Sequence, residues 1–233
     1  MLHLRFGFTY NQCKSDDKEF SLINNIDKLI SISTQSLGEG ISGNLLKEDR
    51  LPKALFSILK KKNGFFAFES ALRVFPLVTT PESIGLNDWN SKDCWIKYYE
   101  GETCDAYFFA EDIFGMQFCI IDDTVCTFDP EIGLFEKIAN NIEEWVNLIL
   151  EDYNFMTGFT IAHNWQVNNG PINNDQRLIP KIPFNCGGEY KIENLYKMNS
   201  VDSMRLRADL ALQLKNLSDG SKIHYRISDF LNT

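Results

Sequence analysis

Carboxylates are the residues of this chain with the numbers and spacing for chemistry. Glu100, Glu102, Asp105, Glu111, Asp112, Asp122, Asp123, Asp129 and Glu131 crowd one stretch. A pair of carboxyls performs acid–base work when their surroundings push the two pKa values apart. The same residues also suit turns and strand ends without any function, because Asp and Glu are at home there. Two further readings compete with catalysis: a solvated acidic rim, and an acidic rim that receives a basic partner. Other chemistry finds little footing. His3, His163 and His224 lie far apart, and no His-x-x-x-His or Cys/His cluster has metal-ligand spacing. His163, beside Trp165, reads as a structural or surface residue rather than a base. No Gly-x-Ser-x-Gly elbow and no cysteine-protease context occurs. Gly38-Glu39-Gly40 follows no strand and carries no Lys-Ser/Thr pair, so it is no phosphate cradle. Neither a catalytic residue nor a cofactor or metal is expected.

What positions the carboxylates is a sheet. From Asp105 to Ile138 aromatic and β-branched residues dominate, punctuated by acidic or glycine-containing breaks. Asp122-Asp123 separates two apolar runs as a two-residue hairpin loop. That loop sets Ile121 against Thr124, Ile120 against Val125 and Cys119 against Cys126. Pro130 to Gly133 forms a second turn, with glycine where φ > 0 is needed. The expectation is a meander with strands at about 113–121, 124–129 and 134–138, preceded by a fourth over Ala106–Ala110.

Helices flank this centre. An acidic run from Asp16 to Glu19 opens one helix, with Phe20, Ile23, Leu29 and Ile30 at helical spacing. Residues 33–49, with three Gly and several Ser, read as a linker. Pro52 starts the next helix at its first position, and Lys60 to Lys62 end it. Phe65–Phe68 and Ala71–Phe75 read as a strand pair or one irregular strand. A short helix precedes Tyr99. Asn141 and Glu144 have the spacing of a capping box, opening a helix whose face carries Trp145, Leu148, Ile149 and Tyr153. Residues 171–188 hold three prolines and Gly187-Gly188 and read as loop. Asn194–Met198 is an expected strand, Ser200 an expected cap for a helix carrying Leu206, Leu210 and Leu214, and residues 222–227 an expected edge strand. The class is α+β, a central antiparallel-rich sheet wrapped by helices.

The bulk numbers bound the partners. The chain has 233 residues, 44% hydrophobic, with 18 Phe, 8 Tyr and 4 Trp. That suits a substantial core and excludes disorder as the default. The net charge of −9 disfavours unspecific binding to nucleic acid or to an anionic membrane. No apolar run approaches the roughly 20 residues of a membrane span, and no signal peptide is seen. Six cysteines without a Cys-x-x-Cys pair read as free thiols of a cytoplasmic protein.

Several residue groups resemble the SUKH superfamily, which includes the yeast cell-wall-synthesis regulator type and many bacterial immunity proteins. Leu51-Pro52, Leu55, Leu59, Asn63-Gly64, Phe65 to Phe68 and Phe75-Pro76 resemble its opening. Phe108 to Asp112, Phe114-Gly115, Gln117-Phe118, Phe128 to Pro130 and a following helix with Trp145 resemble the sheet of bacterial members. The likeness covers about residues 45–155 best and extends less closely to the end, so the chain divides into a 1–44 extension packed on a SUKH-like domain over 45–233. The resemblance implies an α+β fold without a catalytic set. It also implies a cytoplasmic immunity protein that neutralises a polymorphic toxin, nuclease- or deaminase-like, in bacterial competition. The alternative is an intracellular regulator or scaffold. A toxin acting on nucleic acid needs a basic cleft, so an acidic antidote complements it. The expected partner-binding residues are Glu100, Glu102, Asp105, Glu111, Asp112, Asp122 and Asp123, with Trp89, Trp95 and Tyr99 as aromatic anchors.

Overall fold

The computed structural model describes residues 24–41, 51–101, 103 and 105–215. Its centre is a six-stranded antiparallel sheet in simple sequential order: β1 (Phe65–Ala67), β2 (Leu72–Val74), β3 (Tyr107–Asp112), β4 (Gln117–Ile121), β5 (Thr124–Asp129) and β6 (Leu134–Ala139). The register of the β4–β5 hairpin is the one its sequence predicts, with Ile121 opposite Thr124, Ile120 opposite Val125 and Cys119 opposite Cys126. Asp122 and Asp123 hold φ of 46° and 62°, the left-handed pair that a two-residue hairpin turn needs. Gly133 supplies the positive φ of the next turn. Phe65–Ala67 and Leu72–Val74 are a true hairpin rather than one irregular strand. Residues 113–116, expected as strand, form the turn between β3 and β4 instead. The cause is Asp112, whose Oδ1 accepts from the N–H groups of Phe114 and Met116 and bends the chain there.

Strand pairing sorts the side chains onto two faces. Phe66, Arg73, Glu111, Gln117, Phe128 and Phe135 form one row across all six strands. This face is covered by Trp89 of α3 (Leu86–Trp89), by Trp95 and Tyr99, and by Met204 of α7 (Ser200–Lys215). The next row, Phe65, Val74, Ala110, Phe118, Thr127 and Glu136, belongs to the opposite face. There α4 (Ile142–Glu151) sets Trp145 edge-on to Phe109 and Phe118, at 4.9 and 5.5 Å between ring centres. A bulge between Phe108 and Ala110 lets adjacent phenylalanines serve opposite faces, Phe108 touching Trp95 and Phe109 touching Trp145.

Caps account for the helix boundaries. Asn24 caps α1 (Asn25–Ser31) through the Ile26 N–H. Pro52 stands one position before α2 (Lys53–Lys61), as its cap residue rather than its first helical one. Asn141 caps α4 through Glu144 N, as its spacing predicts. Glu144 reaches back to Asn140 rather than Asn141, accepting from its N–H and its side-chain amide. Gly158, at φ 70°, ends α5 (Tyr153–Thr157) and begins α6 (Phe159–Asn169). Residues 24–41 pack on the rest of the chain: α1 lies against α4, and residues 34–38 run along the outer side of β1. Thr34 N and Leu37 N donate to the carbonyls of Phe66 and Gly64.

The stretch read as loop contains a strand. β7 (Gln176–Pro180) pairs with β8 (Leu195–Asn199) as a separate two-stranded sheet, tied to the main body where Leu178 N donates to Ile113 O. Asn199, not Ser200, caps α7, its side chain accepting from Val201 and Asp202. Leu206 and Leu210 of that helix are buried and Leu214 is half-buried. The expected helix start at residues 16–19 and edge strand at 222–227 lie outside the described residues. Cys119 and Cys126 face each other as free thiols.

Candidate functional site

The ten residues expected to meet a partner divide by burial. Trp89, Trp95 and Tyr99 are no more than 1% exposed and form the aromatic heart of the core with Phe108 and Phe128. They do not present a surface. Tyr99 turns inward to donate to Pro130 O and Met204 O, while Tyr98 faces out at 42% exposure, between Lys97 and Arg205. Glu111 and Asp112 are also buried, at 0% and 7%, and are withdrawn from the rim. Glu102 lies outside the described residues.

Glu100, Asp105, Asp122 and Asp123 remain exposed. The pairing of Tyr107 with Ile120 and of Val125 with Ala139 brings Asp105, the Asp122-Asp123 tip and the start of α4 to one end of the sheet. Glu143 and Glu144 of α4 add to this acidic end, and the sequence reading missed both. The N–H groups of Asn140 hold the Glu144 carboxyl below its usual range. Glu100 is placed elsewhere, since the ring of Tyr99 before it sits against Phe128 near the opposite end.

Glu111 is the hub of a buried ion network. Its Oε1 meets Arg73 Nη2 at 2.7 Å and also pairs with Arg177 Nε of β7, all three side chains being fully buried. Gln117 Nε2 donates to Glu111 Oε2, and Gln117 Oε1 accepts from Trp89 Nε1. Arg73 also donates to Asn174 O and Ser200 Oγ. Burial pulls both guanidinium pKa values down, and Glu111 opposes that pull. One carboxylate between two guanidiniums has its charge spent on structure, joining β2 and β3 to β7 and α7.

Asp112, its neighbour in sequence, points to the other face and lines a cavity of about 530 Å³. The walls are Phe118, Thr127 and Ile138 of the sheet, Phe155 and Met156 of α5, and the Phe184–Tyr190 stack, whose rings lie 3.8 Å apart. Asp129, Glu131 and Glu136 bring three more carboxylates, and Arg207 of α7 the one cation among the lining residues. Glu131 is committed to the chain, accepting from the N–H groups of Phe184 and Asn185. Arg207 donates to Phe114 O, Ser203 O and Ser203 Oγ. Asp112 uses Oδ1 for two backbone donors, and Oδ2 has no hydrogen-bond partner among the described residues. Burial lifts its carboxyl to about 8.

His163 sits on the surface, 2.8 Å from Glu69. Among the described residues no group of three or more His, Cys, Asp or Glu is placed to hold a metal ion. No helix among them is long and apolar enough to cross a membrane. No protein-family model matches the chain, and no curated protein matches it. Among solved structures it is similar to Atu4351 from Agrobacterium tumefaciens, at 12% identity and a TM-score of 0.47, over 80% of this chain and 88% of that one.

Proposed function

We propose that this chain is a non-catalytic cytoplasmic immunity protein that binds and neutralises a basic toxin domain. The observation that carries the reading is the acidic end of the sheet, where the exposed Asp122 and Asp123 of the β4–β5 turn and the exposed Asp105 before β3 stand beside Glu143. Exposed charges on a rigid frame accelerate encounter with a basic surface and fix its orientation. The net charge of −9 supports it, as does the resemblance to bacterial SUKH proteins. The buried Arg73–Glu111–Arg177 network supports a structural rather than catalytic use of the most deeply placed carboxylate.

The test begins with a protein partner captured by pull-down and identified by mass spectrometry, the product of the adjacent gene being the first candidate. Association rates are then compared between the wild-type chain and a variant combining Asp122→Asn with Asp123→Gly. That pair removes two charges while supplying the residues most at ease at these positive φ values. Electrostatic steering predicts slower association and a shallower dependence on ionic strength, with dissociation changed less. An unaltered association rate would remove the acidic end from the interface. Turnover in a broad substrate screen, lost in Asp112→Asn, would overturn the non-catalytic reading.

A further inference from the structure

The cavity beside Asp112 goes beyond the toxin-binding reading and stands on separate residues from the acidic sheet end. Its volume of about 530 Å³ falls in the range of small-molecule sites, as does its make-up of apolar walls with a few convergent polar groups. Phe118, Ile138 and Met156 give it an apolar interior, and Phe155, 84% exposed, stands at its mouth.

The polar groups choose the ligand's charge. Asp112 is 93% removed from solvent by its 7% exposure, yet one of its oxygens has no partner. That oxygen is not sealed in the protein but reaches the cavity space, where a donor from a ligand can meet it. The lining holds four carboxylates and one guanidinium, and three of the guanidinium's five N–H donors already go to Phe114 and Ser203. No salt bridge joins Arg207 to Asp112. An anionic ligand would meet repulsion from Asp129, Glu131 and Glu136, whereas an ammonium can displace the proton of Asp112 and pair with the carboxylate it leaves.

We propose that this cavity binds a small organic amine, an ammonium group on an aryl or alkyl chain. The ammonium donates to Asp112 Oδ2, and the chain lies against Phe118, Ile138 and Met156. The remaining carboxylates, Asp129, Glu131 and Glu136, add negative potential around the cation.

The protonation of Asp112 gives the site a second signature. With its carboxyl lifted to about 8, Asp112 holds a proton at neutral pH in the empty protein. Glu111 raises it further, while Arg207 and the N–H groups of Phe114 and Met116 lower it. Arg177 of β7 and Tyr190 are the other titratable groups that interact with it. An arriving ammonium favours the carboxylate, so binding below pH 8 expels the proton, and affinity rises with pH until Asp112 is ionised.

The experiment titrates the full chain with 2-phenylethylamine, hexylamine and octylamine, each paired with the alcohol of the same length. Methyl resonances of Ile138 and Met156 report occupancy, and calorimetry in two buffers of different ionisation heat counts protons. The amines should bind roughly tenfold tighter than the alcohols, as expected for a charge-assisted contact over a neutral one. They should release about one proton per ligand at pH 7. Asp112→Asn should bring amine and alcohol to parity and abolish proton release. Thr127→Phe, which fills the cavity from a half-buried strand position, should remove binding of both while the far-ultraviolet spectrum stays unchanged. The proposal is overturned if no amine moves the cavity resonances, if amines and alcohols bind alike to the wild type, or if the preference survives in Asp112→Asn. Binding that persists in Thr127→Phe would place the ligand elsewhere and overturn it equally.

Discussion

Asp112→Asn separates the carboxyl's charge from its shape. Asn keeps the acceptor that holds Phe114 N and Met116 N, at 2.8 Å each, and replaces the protonated hydroxyl with an amide of similar size. The native Asp112 titrates at about 8, against 3.8 for an unburied group. Between those values the folded protein holds a proton that the unfolded chain has given up. The unfolded state thus binds fewer protons, and stability falls as pH rises through this window. The slope is about 1.4 kcal/mol per pH unit, with a ceiling of about 6 kcal/mol once Asp112 is ionised in both states. Residual solvent contact and relaxation around the charge reduce this to roughly 2–5 kcal/mol. Asn does not titrate and bears no such cost. Urea denaturation of both proteins at steps from about pH 4.5 to pH 8.5 isolates the group, because every other titration is common to the two. The two proteins should be nearly equal at the acid end, and the variant should be the more stable by roughly 2–5 kcal/mol at the alkaline end. Parallel stability curves, or a wild type that gains on the variant as pH rises, would refute the reasoning. The second outcome would mean that Arg207 stabilises an ionised Asp112.

Three further outcomes follow from the packing. Glu111→Gln leaves Arg73 and Arg177 buried without their shared counter-charge, and chemical denaturation should show a loss of about 3–5 kcal/mol. Trp145→Ala empties a fully buried site between Phe109 and Phe118 and should cost about 3–5 kcal/mol in the same assay. Combining Asp122→Asn with Asp123→Gly relaxes two left-handed residues, so the thermal midpoint should rise, by a stability gain of about 0.5–1 kcal/mol.

The meander was legible because its signals are local. Two acidic residues between apolar runs specify a hairpin, and a two-residue loop leaves no freedom of register, so Cys119 faces Cys126. β7 was hidden for the opposite reason. Pro171 and Pro183 flank it and Pro180 ends it, and what makes it a strand is distant: Arg177 pairing with Glu111, and Leu178 bonding to Ile113. The site suffered the same blindness. A sequence shows that Trp89, Trp95 and Tyr99 are aromatic, but not that they converge on Phe108 and Phe128. Glu111 and Asp112 are adjacent carboxylates in a strand, so they face opposite sides of the sheet. One meets two arginines from other strands and the other a cavity, and no local pattern distinguishes their fates. The Tyr98–Tyr99 pair is instructive too, since a tight helical turn sends one ring outward and the next into the core.

The segment along β1 has a role that its hydrogen bonds alone do not advertise. An open antiparallel sheet ends in two rows of unpaired amides and carbonyls, and such rows recruit strands from other molecules. On the β1 side, Phe66 spends its carbonyl on Thr34 N and its N–H on Thr34 Oγ1, and Gly64 O is taken by Leu37 N. Lys62 fastens this cover by donating to Ile30 O, Ser33 Oγ and Thr34 O. On the β6 side the defence is charge, with Glu136 and Lys137 exposed in mid-strand. Residues 34–38 thus act as a selvedge that keeps an aromatic-rich sheet from fraying into intermolecular β-structure. A chain shortened past residue 41 would retain nearly all of its core and lose its protection against self-association.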